Sequence, residues 1–185
     1  MSRLSLGLGL VLVAAAAFTG GRDLVRGIER WHVMGPLPPG EQAPDFRLYV
    51  PGGGMMPGKE LHGSVTVMTF WATWCGVCRG ELEDLDALAK DYEGREDVRF
   101  VAVNHEGGGL SRPQVEGLIA QYRAATGLQL PVLLDDGSAS RSFRVRPIPH
   151  TVVLDSDGLI RYVHLGRVSA STIRAEVDRL AGAES

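Results

Sequence analysis

The hydrophobic period of this chain changes abruptly at one place, and both of its cysteines stand there. Ser64 to Trp71 is a β-rich apolar run that alternates in its first half. From Cys75 onward, Leu82, Leu85, Leu88 and Ala89 recur at spacings of three and four, the period of an amphipathic helix. A strand, a short turn and a helix therefore follow in direct succession, with Trp74-Cys75-Gly76-Val77-Cys78 at the junction. At a helix N-terminus, free N–H groups and the helix dipole stabilise a thiolate on the first cysteine. The second thiol lies one turn on, within reach to close a bond. A purely structural bridge is a poor reading, because so short a loop removes little entropy from the unfolded chain. The pair reads as a dithiol that cycles with its disulfide.

The rest of the pattern extends an α/β layer. A short strand is expected at Phe46 to Val50, followed by a Gly/Pro-rich turn from Pro51 to Gly58. In the helix after the cysteines, Glu81, Glu83, Asp84 and Asp86 crowd the first half and Lys90 stands near the end, as the dipole prefers. Gly94 is the expected stop. Val98 to Val103 reads as a buried strand, and Asn104 to Gly109 as a Gly-rich loop. Ser111 caps the next helix with Gln114 as its capping-box partner and Pro113 in the first turn; Gly127 ends it. Pro131 to Leu134 is a short strand, and 135–145 is loop with a short helical piece. Thr151 to Asp155 and Ile160 to His164 form a hairpin about Ser156-Asp157-Gly158, and Ser171 to Ala181 closes the chain as a helix. The order is βαβ, then a hairpin and a closing helix, which predicts a mixed sheet.

The N-terminus has a different character. Arg3 precedes an apolar run from Leu4 to Phe18, shorter than a full membrane span. Residues 1–21 are read as a signal peptide or a retained membrane anchor, 22–42 as a linker rich in Pro and Gly at its end, and 43–183 as the working domain. Either reading places the domain outside the cytoplasm, where disulfides form and need management. A net charge of −3 argues against nucleic acid as a partner.

Three separated motifs carry a resemblance that covers about residues 40–183. They are Ala43-Pro44-Asp45-Phe46, Phe70-Trp71-Ala72-Thr73-Trp74-Cys75-Gly76-Val77-Cys78-Arg79, and Ile148-Pro149-His150-Thr151-Val152-Val153-Leu154-Asp155. With these the chain resembles the thioredoxin superfamily and, within it, the exported TlpA/ResA/CcmG group of thiol-disulfide oxidoreductases. The resemblance implies a thioredoxin fold, a central mixed β-sheet flanked by helices with an N-terminal β extension. It implies that Cys75 attacks and Cys78 resolves, and that Pro149 is a cis-proline beside the disulfide. Ile148 would offer backbone hydrogen bonds to an extended substrate. Trp74, Gly76 and Val77, with Ile148, Pro149 and His150, would form the docking surface. It also implies protein disulfide or dithiol substrates, apocytochrome c among them, a membrane thiol donor, and no metal or organic cofactor beyond the Cys75–Cys78 disulfide. Membrane contact would come only through the N-terminal segment.

Two departures bear on the chemistry. Thioredoxin carries a buried Asp six residues before its first cysteine, where this chain has Thr69. ResA-like proteins place a Glu three residues after the second cysteine, which is Glu81 here. One turn beyond Cys78, its carboxylate is expected to take a proton from the thiols by way of water; the plainer alternative is an acid that merely favours the dipole. Val77 stands where the group often has Pro. His150 stands where relatives often carry Thr, either as a donor to substrate or as an ordinary loop histidine. Trp71 reads as core. His105 and Glu106 lie past the carboxyl end of a strand expected to run parallel to the one feeding Cys75, the edge at which parallel sheets bind ligands; the plainer reading is a Gly-rich loop with no role. The rival reading from another class is a copper chaperone binding through Cys75, Cys78 and one histidine, although copper chaperones of this fold typically have three residues between the cysteines. A peroxidase reading is weaker still, since no Pro and Thr precede a single peroxidatic cysteine.

Overall fold

The computed structural model describes residues 35–183. The expected signal or anchor, 1–21, and most of the linker lie outside the described residues. The elements are β1 (Arg47–Tyr49), β2 (Met55–Pro57), a 3-10 turn (Gly58–Leu61), β3 (Val65–Trp71), α1 (Gly76–Lys90), β4 (Val98–Asn104) and α2 (Arg112–Thr126). They continue with β5 (Val132–Leu134), α3 (Ser138–Ser142), β6 (His150–Leu154), β7 (Ile160–Leu165) and α4 (Ala170–Ala183). The strands make one sheet in the order β2-β1-β5-β4-β3-β6-β7. β3, β4 and β5 are parallel, and β6, β7, β1 and β2 each join antiparallel. This is the mixed thioredoxin sheet with an N-terminal hairpin added at one edge.

β3 is buried at every position because both of its faces are covered. Val65, Val67 and Trp71 pack with Leu82, Leu85 and Leu88 of α1, Ile119 of α2, and Ile173 and Val177 of α4. Met68 and Phe70 turn the other way, toward Leu48, Ala139, Phe143 and Val152. The helix over residues 76–90 and the capped helix at Ser111 form as expected. The Gln114 side chain accepts the Ser111 N–H at 2.9 Å, and Gly127 closes the helix in the left-handed conformation.

Two expectations need correction. Residues 51–58 are not all turn, since Met55–Pro57 pairs with β1 to form the hairpin. That hairpin closes on Gly58, whose N–H donates to the Phe46 carbonyl at 2.9 Å and where a Cβ would lie 2.4 Å from the Phe46 ring. Nor does the packed unit begin at Ala43. Leu37 is buried in the core, and the Glu41 carbonyl accepts the Ile160 N–H while the Gly40 N–H donates to Ile160 in return. The compact unit runs from Leu37. Among the described residues, no helix is long and apolar enough to cross a membrane.

Candidate active site

β3 ends at Trp71, and the Cys75 N–H turns back onto the Ala72 carbonyl at 3.1 Å, so that Cys75 becomes the N-cap of α1. Cys75 and Cys78 are joined in a disulfide. The Cys78 N–H points at Cys75 Sγ from 3.2 Å, the donor that a thiolate at this position would use when the bond opens. Cys78 is buried in the core, whereas Cys75 is partly exposed. Only the first sulfur is therefore accessible to another molecule. Facing it is the loop before β6, where the Ile148–Pro149 peptide is cis and the Ile148 carbonyl oxygen lies 3.9 Å from Cys75 Sγ. Trp74 and Val77 flank the pair with 67% and 60% of their surface exposed, an apolar rim unusual for a soluble surface. Ile148 is half-buried and Pro149 buried.

Beneath the pair lies a buried carboxylate. Glu81 is 1% exposed and fully engaged. Its Oε1 accepts from the Thr151 hydroxyl at 2.7 Å and the Thr69 hydroxyl at 3.0 Å; its Oε2 accepts from the Val168 N–H at 2.9 Å. Thr69, the position of the departure from thioredoxin, is thus a hydrogen-bond partner of the Glu81 carboxylate. The two threonines are register partners on β3 and β6, which is why one carboxylate reaches both. A buried carboxyl needs such donors to exist at all.

A second carboxylate, to which the sequence reading gave no role, holds the other side of the cysteine loop. Glu106 accepts the Thr73 hydroxyl at 2.5 Å, the Thr73 N–H at 3.1 Å and the Asn104 amide at 2.9 Å. Its own carbonyl accepts the Trp74 indole N–H at 3.1 Å. Residues 73 and 74, which lead into Cys75, are therefore anchored to the end of β4. Next to it, His105 Nδ1 lies 3.2 Å from the Asp135 carboxylate. Asp135 also takes the N–H groups of Gly137, Ala139 and Ser140; burial opposes its charge, but the hydrogen bonds from His105, Ser140 and Ala139 hold its pKa below the ordinary value.

Other predicted residues fall where the alternation of the strands sends them. Trp71 is core, its ring centroid 4.7 Å from that of Tyr122 of α2 with the two planes tilted by 51°. The Arg79 guanidinium lies 6.0 Å over the same ring. His150 is a correction. Its ring is 1% exposed and packs edge-on against Phe70 on the face away from α1, so it offers nothing to a docked substrate and no ligand beside the cysteines. Its Nδ1 has no hydrogen-bond partner, and burial pushes its pKa down to about 4. Among the described residues, no group of three or more His, Cys, Asp or Glu is placed to hold a metal ion.

With the fold and site in place, similarity to known proteins becomes informative. The AhpC/TSA family matches residues 39–163, most of the packed unit and all of the cysteine region. The chain belongs to the AhpC/TSA family. Within reach of it is the thioredoxin-like protein YneN of Bacillus subtilis, 29% identical over 170 residues, spanning 92% of this chain and 95% of that one. The thiol-disulfide oxidoreductase ResA of the same organism is 29% identical over 168 residues, spanning 90% and 86%. Among solved structures, a thiol:disulfide interchange protein DsbE from Chlorobium tepidum superposes with a TM-score of 0.64 at 27% identity, covering 78% of this chain and 97% of that one. The family, the thioredoxin fold and the Cys-x-x-Cys pair agree, and this chain is an oxidoreductase of the thiol-disulfide class.

Proposed function

We propose that the protein reduces disulfides in other proteins outside the cytoplasm, with Cys75 as nucleophile and Cys78 as the resolving thiol. One observation carries this reading: the Cys75 sulfur, at the start of α1, faces the backbone of Ile148–Pro149 between two exposed apolar side chains. A substrate strand lying along that backbone brings its disulfide to the exposed sulfur. The Cys75 thiolate attacks one substrate sulfur, forming a mixed disulfide and expelling the other as a thiolate that takes up a proton. The Cys78 thiolate then attacks the Cys75 sulfur, which releases the second substrate thiol and leaves the Cys75–Cys78 disulfide. Two electrons and two protons have passed to the substrate, and an external dithiol donor must restore the enzyme. Glu81, one turn below Cys78, is the group we assign to accept the Cys78 proton by way of water.

The N-terminal apolar run supports export, and resemblance to the ResA and CcmG group supports a membrane thiol donor and cytochrome c maturation as the setting. The docking surface is Trp74, Gly76 and Val77 with Ile148 and Pro149, and the chemistry needs no cofactor beyond the cysteine pair. Purified protein, reduced and free of metal, is expected to reduce insulin disulfides in the presence of a dithiol. Tight stoichiometric copper binding without disulfide exchange would support the copper-chaperone reading and overturn this one.

A further inference from the structure

Three consecutive residues after β7 make three different contacts around the cysteine site. The Gly166 N–H donates to the carbonyl of Pro149 at 2.9 Å. The Val168 N–H donates to Glu81 Oε2 at 2.9 Å. Between them, the Arg167 guanidinium crosses the outer surface of α1, donating to Asp84 Oδ2 at 2.7 Å and reaching the Gly80 carbonyl at 3.4 Å. It lies so close to the helix that a Cβ on Gly80 would meet Nη1 at 3.0 Å and Cζ at 3.1 Å.

We propose that Arg167 is a positioning residue: it pins residues 166–168 onto α1 and so fixes the spacing between Cys75, carried by α1, and the Ile148–Pro149 backbone. This rests on the reading of the site as a reductase of protein disulfides. Two features favour a geometric role over a stabilising one. Arg167 and Asp84 are both substantially exposed, and an exposed ion pair contributes little to folding. Glycine inside a helix costs stability relative to alanine, yet α1 carries one at the position the guanidinium covers. The strap joins both walls of the site. One end holds the carbonyl beside the cis peptide, the other holds the buried carboxylate of the cysteine helix, and the ion pair lies between them.

The test compares two disulfides. Insulin must lie along the Ile148–Pro149 backbone to react, whereas a small aryl disulfide needs only the exposed Cys75 sulfur. With Arg167→Ala, the second-order rate constant for insulin is expected to fall about tenfold, as for a sub-ångström to ångström misplacement of a binding element. The rate with the aryl disulfide and the melting temperature should stay nearly unchanged. Arg167→Lys, which keeps a charge on Asp84, should recover most of the insulin rate. Gly80→Ala should reproduce the insulin defect alone and add nothing on top of Arg167→Ala, because both act through one contact. An insulin rate indifferent to residue 167, or an equal fall with both disulfides, would overturn the strap. If the unsubstituted protein reduced neither disulfide, the reductase reading would fail and the strap with it.

Discussion

His150 and Thr151 are neighbours on β6, one peptide apart, and they live in opposite chemical worlds. Thr151 points toward α1 and gives its hydroxyl to the buried carboxylate of Glu81. His150 points to the other face of the sheet, against Phe70, with Nδ1 unpartnered. On a strand whose side chains alternate, one step in sequence moves a residue from the chemical side of the sheet to its apolar back. The difference lies in their partners. The Glu81 carboxylate accepts from three donors. The His150 ring has only apolar packing at Nδ1 and is held neutral.

The contrast can be broken or sharpened by experiment, and the largest effect is expected at Glu81. Glu81→Ala leaves the Val168 N–H and two threonine hydroxyls without their acceptor and opens a cavity, so unfolding free energy should fall by about 4 kcal/mol. Denaturant melts would measure it, and a loss under about 1 kcal/mol would mean the network is not a structural unit. The shape-conserving Glu81→Gln separates chemistry from folding. If the carboxylate exchanges a proton with the thiols, the pH profile of thiol alkylation should move; an unchanged profile would leave Glu81 a structural anchor.

A somewhat smaller effect is expected from acid. The folded-state pKa of His150 is pushed below the ordinary 6.5 to about 4. Between those values the unfolded chain holds the extra proton. The stabilisation from His150 is therefore complete above about pH 6.5 and lost as pH falls toward 4, on the order of 3 kcal/mol over the window. His150→Phe should flatten that part of the stability profile relative to the natural protein and leave disulfide exchange at pH 7 unchanged. A variant that lost exchange would put His150 back in the site. The smallest effect belongs to Thr151→Val, which removes one of three donors to Glu81 and should cost about 1 kcal/mol in the same melts.

Much of this fold was readable because its signals are local. The period change at Cys75, the Ser111–Gln114 cap and the Ser156–Gly158 turn each lie within a few residues, and each element formed where expected. Met55–Pro57 was missed because so short a strand shows no period, and it pairs only because Gly58 lets the chain close on Phe46. Within the site, the cysteine pair was legible from its spacing at the helix start, whereas Glu81 was singled out by the resemblance to ResA-like proteins. Glu106 was not legible, because its partners in the cysteine loop are 33 and 32 residues away and its loop of glycines carries no pattern. A carboxylate directly after a buried strand that runs parallel to the one feeding the cysteines was the available signal. His150 was misplaced for a different reason. Proximity in sequence to Pro149 suggested proximity in function, and counting alternation from Thr151 would have sent its ring to the far face.

The proposed exchange depends on Cys75 acting as the accessible nucleophile and Cys78 as the buried resolving thiol. Reduced Cys78→Ser protein mixed with a disulfide substrate should accumulate a stable mixed disulfide, which peptide mass mapping would locate at Cys75. Accumulation instead by Cys75→Ser, with the substrate bound at Cys78, would contradict the account.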